Sequence, residues 1–143
     1  MLGLYNMDLP TINNNVTYLK KRRKNTIQIL YRYFILECKT NIKQEAIDGF
    51  QLLNEYDEQF ENYIFKISDE IDNLINICES NLDETWKWKR IPNIIKAILV
   101  NAVYEITNNI TPKAIVINES IELTRSYLPS WETSFINAIL DKI

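Results

Sequence analysis

Residues 92–106 read PNIIKAILVNAVYEI. Pro92 suits the first turn of a helix, where its missing N–H costs nothing. Behind it Ile95, Ile98, Leu99, Ala102, Val103 and Ile106 form a broad apolar face of helical period. A helix apolar over so much of its girth belongs at the centre of a core, with other helices around it. Tyr104 and Glu105 lie beside that face.

The segments on either side supply the surrounding helices. A first long helix is expected from about Asn15 or Thr17 to Cys38. Its stripe is Ile27, Leu30, Tyr31, Phe34, Ile35 and Cys38. A second is expected over about Gln44 to Tyr56, with Ile47, Phe50 and Leu53 inward. Gly49 falls inside it, at a cost of roughly 1 kcal/mol against Ala, and close helix contact would explain its presence. A third runs from about Glu58 to Cys78 on Phe60, Ile64, Ile67, Ile71, Leu74, Ile75 and Cys78. Asp83 can cap the segment after it. Trp86 and Trp88 are one residue apart and so cannot share a helical face. Thr111-Pro112 is a start signal, a capping hydroxyl followed by a first-turn proline. The helix after it should turn Ala114, Ile117, Ile121, Thr124 and Leu128 inward. Pro129 and Ser130 break the pattern. A last helix begins near Glu132 or Thr133, with Phe135, Ile136, Ile139, Leu140 and Ile143 as its stripe.

The fold class is therefore all-α, a compact bundle of about six or seven helices. Two glycines and four prolines in 143 residues leave few punctuators for hairpins. At 46% hydrophobic content the chain can bury a real core as one domain over residues 16–143, after a flexible arm at 1–15. Cys38 and Cys78 lie on apolar stripes and read as reduced, buried thiols. The opening MLGLYNMDLP lacks a basic n-region and a long apolar run, and no stretch is long enough to span a membrane. A cytoplasmic location is expected. The chain has no histidine, and no phosphate loop, HExxH or CxxC motif is present. No catalytic residue, cofactor or metal site is assigned, and an enzyme is not expected.

Charge is segregated. Residues 1–36 hold Asp8 against Lys20, Lys21, Arg22, Arg23, Lys24 and Arg32, a net +5. Glu55 to Glu84 holds ten acids and one base, Lys66. The net charge of -3 thus hides a bipolar molecule. Five successive cations near a helix start repel one another and oppose the helix dipole. Phosphates would relieve that cost, and so would an acidic helix of the same fold. Basic edges hold nucleic-acid backbones with little sequence preference. Single-stranded RNA would also want stacking platforms, for which Tyr18, Trp88 and Trp131 are candidates.

Three stretches together resemble the bacterial NusB family of transcription antitermination factors. RRKNTIQILY (22–31) looks like that family's basic first-helix opening. WKWKRIPNIIKAILVNAVYEI (86–106) is similar to its tryptophan, then RI, then an apolar helix ending in A-x-YE. TPKAIVINESIELTRSYLPSWETSFINAILDKI (111–143) looks like its INEA and F-VNG-x-LDK ending. The resemblance implies a two-part helical bundle, here about 16–80 and 83–143. It implies a noncatalytic adaptor that binds boxA-like RNA with the ribosomal protein NusE and joins the elongating RNA polymerase.

Carried over residue by residue, Lys20, Lys21 and Arg23 fall where family basic residues approach RNA. Phe135 matches the family aromatic near the RNA and partner surface. Arg22, Lys24 and Trp131 are secondary candidates for RNA or partner contact. Asn118 and Glu119 match the paired polar residues of INEA, with packing or capping expected first. Val100 stands where many relatives carry Arg, and Ala138 replaces the Gly of VNG. Trp131 stands where a family acidic residue can contact the RNA side. Those departures keep a second reading open, a helical protein-interaction module of the same fold without specific RNA recognition.

Overall fold

The computed structural model describes residues 12–143; of the arm expected at residues 1–15, residues 1–11 lie outside them. Among the described residues there are six α-helices, one short 3₁₀ turn and no strand. They are α1 (Val16–Ile35), α2 (Ile42–Leu53), α3 (Glu58–Ser80), the 3₁₀ turn Trp88–Arg90, α4 (Asn93–Thr107), α5 (Lys113–Tyr127) and α6 (Thr133–Asp141).

The first three helices begin on side-chain caps, each satisfying an orphan backbone N–H. The Asn15 amide oxygen accepts from the Thr17 N–H at 2.8 Å. Asn41 accepts from the Gln44 N–H and Asp57 from the Phe60 N–H. Asp57 also accepts from the Tyr18 hydroxyl at 2.8 Å, which ties the start of α1 to the start of α3. Just before α1, Asn13 and Gln59 exchange two hydrogen bonds, so this part of the expected arm is held against α3.

α4 is the central element. Ten of its fifteen residues are buried, including Ile95, Ile98, Leu99, Val100 and Val103. It packs against α1, α3, α5 and α6, and one apolar core runs through all of them. Burial of that core from water is what holds the bundle.

Several local expectations change. α1 stops at Ile35 because Glu37 and Cys38 take left-handed φ of 56° and 63°. The chain turns there, so Cys38 is exposed, and only Cys78 is a buried thiol. The inner stripe of α1 is Ile27, Leu30, Tyr33 and Phe34; Tyr31 and Ile35 face outward. α2 starts two residues earlier than expected and buries Ile42 and Ala46, leaving Leu53 71% exposed. Gly49 meets nothing within 4 Å of where a Cβ would stand, so close contact does not account for it. In α5 the buried face is Val116, Ile117, Ser120, Leu123 and Thr124, with Ala114 exposed. Trp86 is exposed while Trp88 packs edge-on against Phe34 at 6.1 Å.

Candidate nucleic-acid interface

The five cations of residues 20–24 separate by helical geometry. Successive residues on a helix point about 100° apart, so a run of five cannot share a face. Lys20, Lys21 and Lys24 are exposed; Arg22 and Arg23 are buried.

Arg23 turns into the core and meets Glu105. Its Nε donates to Oε2 at 2.9 Å and its Nη2 donates to Oε1 at 3.0 Å, a forked pair. Glu105 is fully buried, and further donors satisfy it. The Asn101 amide donates to Oε2 at 3.0 Å and the Thr111 hydroxyl donates to Oε1 at 2.9 Å. The Tyr63 hydroxyl in turn donates to the Asn101 oxygen at 2.6 Å. Arg22 lies over the Tyr63 ring at 4.2 Å, with its Nη2 3.8 Å from Glu105. That separation is too long for a hydrogen bond. The cluster thus joins α1, α3, α4 and the start of α5. Burial alone would lower the Arg23 pKa, but its bonds to Glu105 leave it raised above the ordinary value. Burial pushes the Tyr63 phenol well up, and Glu105 adds to the effect.

Two expectations are corrected by this cluster. Arg23 was expected at the RNA edge and Arg22 beside it, yet both guanidinium groups are enclosed, at 4% and 6% exposure. Thr111 was expected to cap a helix; its hydroxyl goes to Glu105, and α5 starts behind Pro112 without a side-chain cap. The signal for the cluster was present in the sequence as Glu105 on an apolar helix. A buried carboxylate demands donors, and the arginines of α1 were available to supply them.

The exposed lysines also have acidic neighbours. Lys20 Nζ lies 2.9 Å from both oxygens of Glu119 on α5, so Glu119 has an ion-pair role and Asn118 beside it is exposed. Lys21 stands 3.9 Å from Glu55 in a solvent-exposed pair. Lys24 makes no ion pair among the described residues. Acids of the same fold therefore relieve most of the repulsion along the run. Screened pairs of this kind contribute about 0–1 kcal/mol and can exchange their carboxylate for another anion. Below Lys21 opens a groove of about 650 Å³ between α1, α2 and α3, lined by Ile29, Gly49, Phe50, Leu53 and Phe60.

Phe135 and Trp131 belong to a separate group. Both are half-buried and pack with Trp86 in edge-on and tilted contacts. The ring centroids are 4.9 Å (Trp86–Phe135), 5.3 Å (Trp131–Phe135) and 5.4 Å (Trp86–Trp131). Lys20 and Phe135 sit in different contact clusters, one against Glu119 of α5 and the other in this aromatic trio. Val100 is fully enclosed in α4, so its lack of charge removes nothing from a surface. Among the described residues no group of three or more His, Cys, Asp or Glu side chains could hold a metal, and no helix is long and apolar enough to cross a membrane.

These features define an all-helical bundle with a lysine edge on its first helix and an aromatic surface near its last. Residues 20–143 match the model of the NusB family, and the chain belongs to that family. It is 30% identical over 126 residues to the transcription antitermination protein NusB of Finegoldia magna, covering 87% of this chain and 91% of that one. It is 31% identical over 136 residues to the protein of the same name from Thermodesulfovibrio yellowstonii, covering 87% and 89%. With that of Acetivibrio thermocellus it shares 32% over 131 residues, covering 85% and 84%. Each of these relatives is named a transcription antitermination protein.

Proposed function

We propose that this protein is a transcription antitermination adaptor that binds boxA-like single-stranded RNA together with the ribosomal protein NusE. Through that assembly it engages the elongating RNA polymerase in the bacterial cytoplasm. The observation that carries the RNA part is the exposed edge of Lys20, Lys21 and Lys24 on α1 of an otherwise acidic chain. Those side chains reach phosphates without disturbing the core. Arg22 and Arg23 act one layer deeper, holding α1 to α4 so that the edge keeps its shape. Phe135, half-buried among aromatics, supplies surface for bases or partner. The acidic belt of α3 and its flanks suits a basic ribosomal protein. Two weak surfaces engaged at once give the pair more affinity than either alone.

A fluorescence titration of boxA-like and scrambled RNA, with and without NusE and over a range of salt, tests this. Replacing Lys20, Lys21 and Lys24 with Gln should weaken binding and flatten the log-affinity against log-salt slope by about 2, at roughly 0.7 per lost phosphate contact. Equal binding of the boxA-like and scrambled RNAs by the wild-type chain at every salt concentration would sink the proposal. A triple variant that keeps every partner affinity would favour the protein-interaction module instead.

A further inference from the structure

The loop between α3 and α4 carries a second group of cations that the lysine edge does not include. Residues 86–90 read WKWKR. Trp88 is turned inward against Phe34, and Lys96 lies 5.5 Å from its ring. Residues 88–90 form a single 3₁₀ turn, with three residues per turn. Fixing Trp88 inward therefore sends Lys89 and Arg90 outward, and both are exposed, as is Lys87. None of the three makes an ion pair among the described residues, in contrast to Lys20 and Lys21. Next to them stands Trp86, 41% exposed, its ring braced by Trp131 and Phe135. An aromatic held by two others loses little freedom on binding, so its open face is prepared for stacking. Beside it is a depression of about 320 Å³, lined by Trp86, Phe135, Lys142, Asp83 and Glu132.

We propose that this loop is a second single-stranded RNA contact, in which Trp86 stacks on one base and Lys87, Lys89 and Arg90 hold the adjoining phosphates. The inference rests on the RNA-binding reading above and extends it to residues outside the α1 edge. Aromatic stacking with nearby cations is the combination that single strands require. Asp83 and Glu132 make the depression mixed in charge.

The test is a titration of the full chain with a fluorescein-labelled boxA-like RNA, repeated with RNAs made abasic at one position at a time. Trp86→Ala should weaken binding roughly five- to a hundredfold, with Trp86→Phe recovering most of it. That loss should not add to the loss from the abasic site at the stacked position. Replacing Lys87, Lys89 and Arg90 with Gln should flatten the salt slope by about 2. These residues are exposed, so the thermal transition by circular dichroism should stay near that of the parent. If both variants keep parental affinity and slope while the Lys20, Lys21 and Lys24 variant loses them, this inference falls and the adaptor reading stands. If the parent chain binds none of the RNAs, both fall. If Trp86→Ala weakens NusE binding and leaves RNA affinity untouched, the loop is a protein contact and the inference is again overturned.

Discussion

Arg23 and Glu105 lie 82 positions apart in the sequence and form a forked ion pair inside the bundle, with both N···O distances at 2.9–3.0 Å. One residue comes from a basic run and the other from an apolar core helix. Their pairing makes the first helix and the central helix one unit.

Glu105→Gln should destabilise the protein by about 3–5 kcal/mol, because it leaves Arg23 and Arg22 enclosed without a counter-charge. Urea unfolding followed by circular dichroism measures this. A loss below about 1 kcal/mol would show that water or another acid takes the place of Glu105. Arg23→Lys should also destabilise, since a single ammonium cannot make the forked contact.

Gly49→Ala should stabilise the chain by roughly 0.5–1 kcal/mol. Gly49 is helical, is not at positive φ, and has open space at its Cβ position. Alanine would reduce the entropy of the unfolded chain at no steric cost. A lower midpoint in denaturant would show that the glycine serves something in the neighbouring groove.

The two cysteines should separate cleanly in a thiol titration of the native protein. Cys38 is exposed and should react at once. Cys78 is enclosed, and burial pushes its pKa up to about 12, so it holds little thiolate near neutrality. One equivalent should appear in buffer and the second only in denaturant. Two fast equivalents would mean that the C-terminal end of α3 opens readily.

Stability should fall in alkali. Burial raises the phenol of Tyr18, with its bond to Asp57 adding to the effect, and burial raises that of Tyr63. Burial and the Cys38 neighbour push Tyr33 up to about 12. An unfolded phenol ionises near 10.0, whereas these folded phenols hold their protons to higher pH. The stability they contribute is complete below about pH 10 and drains away above it, as the unfolded chain loses protons first. Denaturant midpoints taken between about pH 8 and pH 11, with tyrosinate absorbance recorded in parallel, should both show this. A constant midpoint across that range would contradict the enclosed geometry of these phenols.

For α3, α4 and α6 the period of the apolar residues was sufficient to read the buried side, whereas in α1 and α5 part of the expected stripe faces outward. The central position of α4 followed from residues 95–106, and the stripe of α3 followed almost position by position. The failures lie where two readings of the same residues compete locally. At Cys38 the stripe could have continued for another turn, but the chain had to turn toward α2, and left-handed backbone at Glu37 and Cys38 ended the helix. At Leu53 an apolar residue in phase with the stripe falls beyond the packed part of α2 and stays in water. At Thr111 a hydroxyl suited to capping found a stronger acceptor in the buried Glu105 carboxylate.

The sequence by itself determined the helical class, the central helix, the family motifs and the segregation of charge, because each is a property of composition or of spacing within one segment. Only the tertiary structure decided which cations face water. A run of five positive residues looks uniform in one dimension, but a helix distributes it around an axis, and a carboxylate 82 positions away selects Arg23 for the interior. The same holds for Trp86, Trp131 and Phe135, which come together only when the last helix folds back on the loop before the central one. Partners in a buried ion pair or an aromatic cluster are matched by position in space, and no local pattern encodes that position.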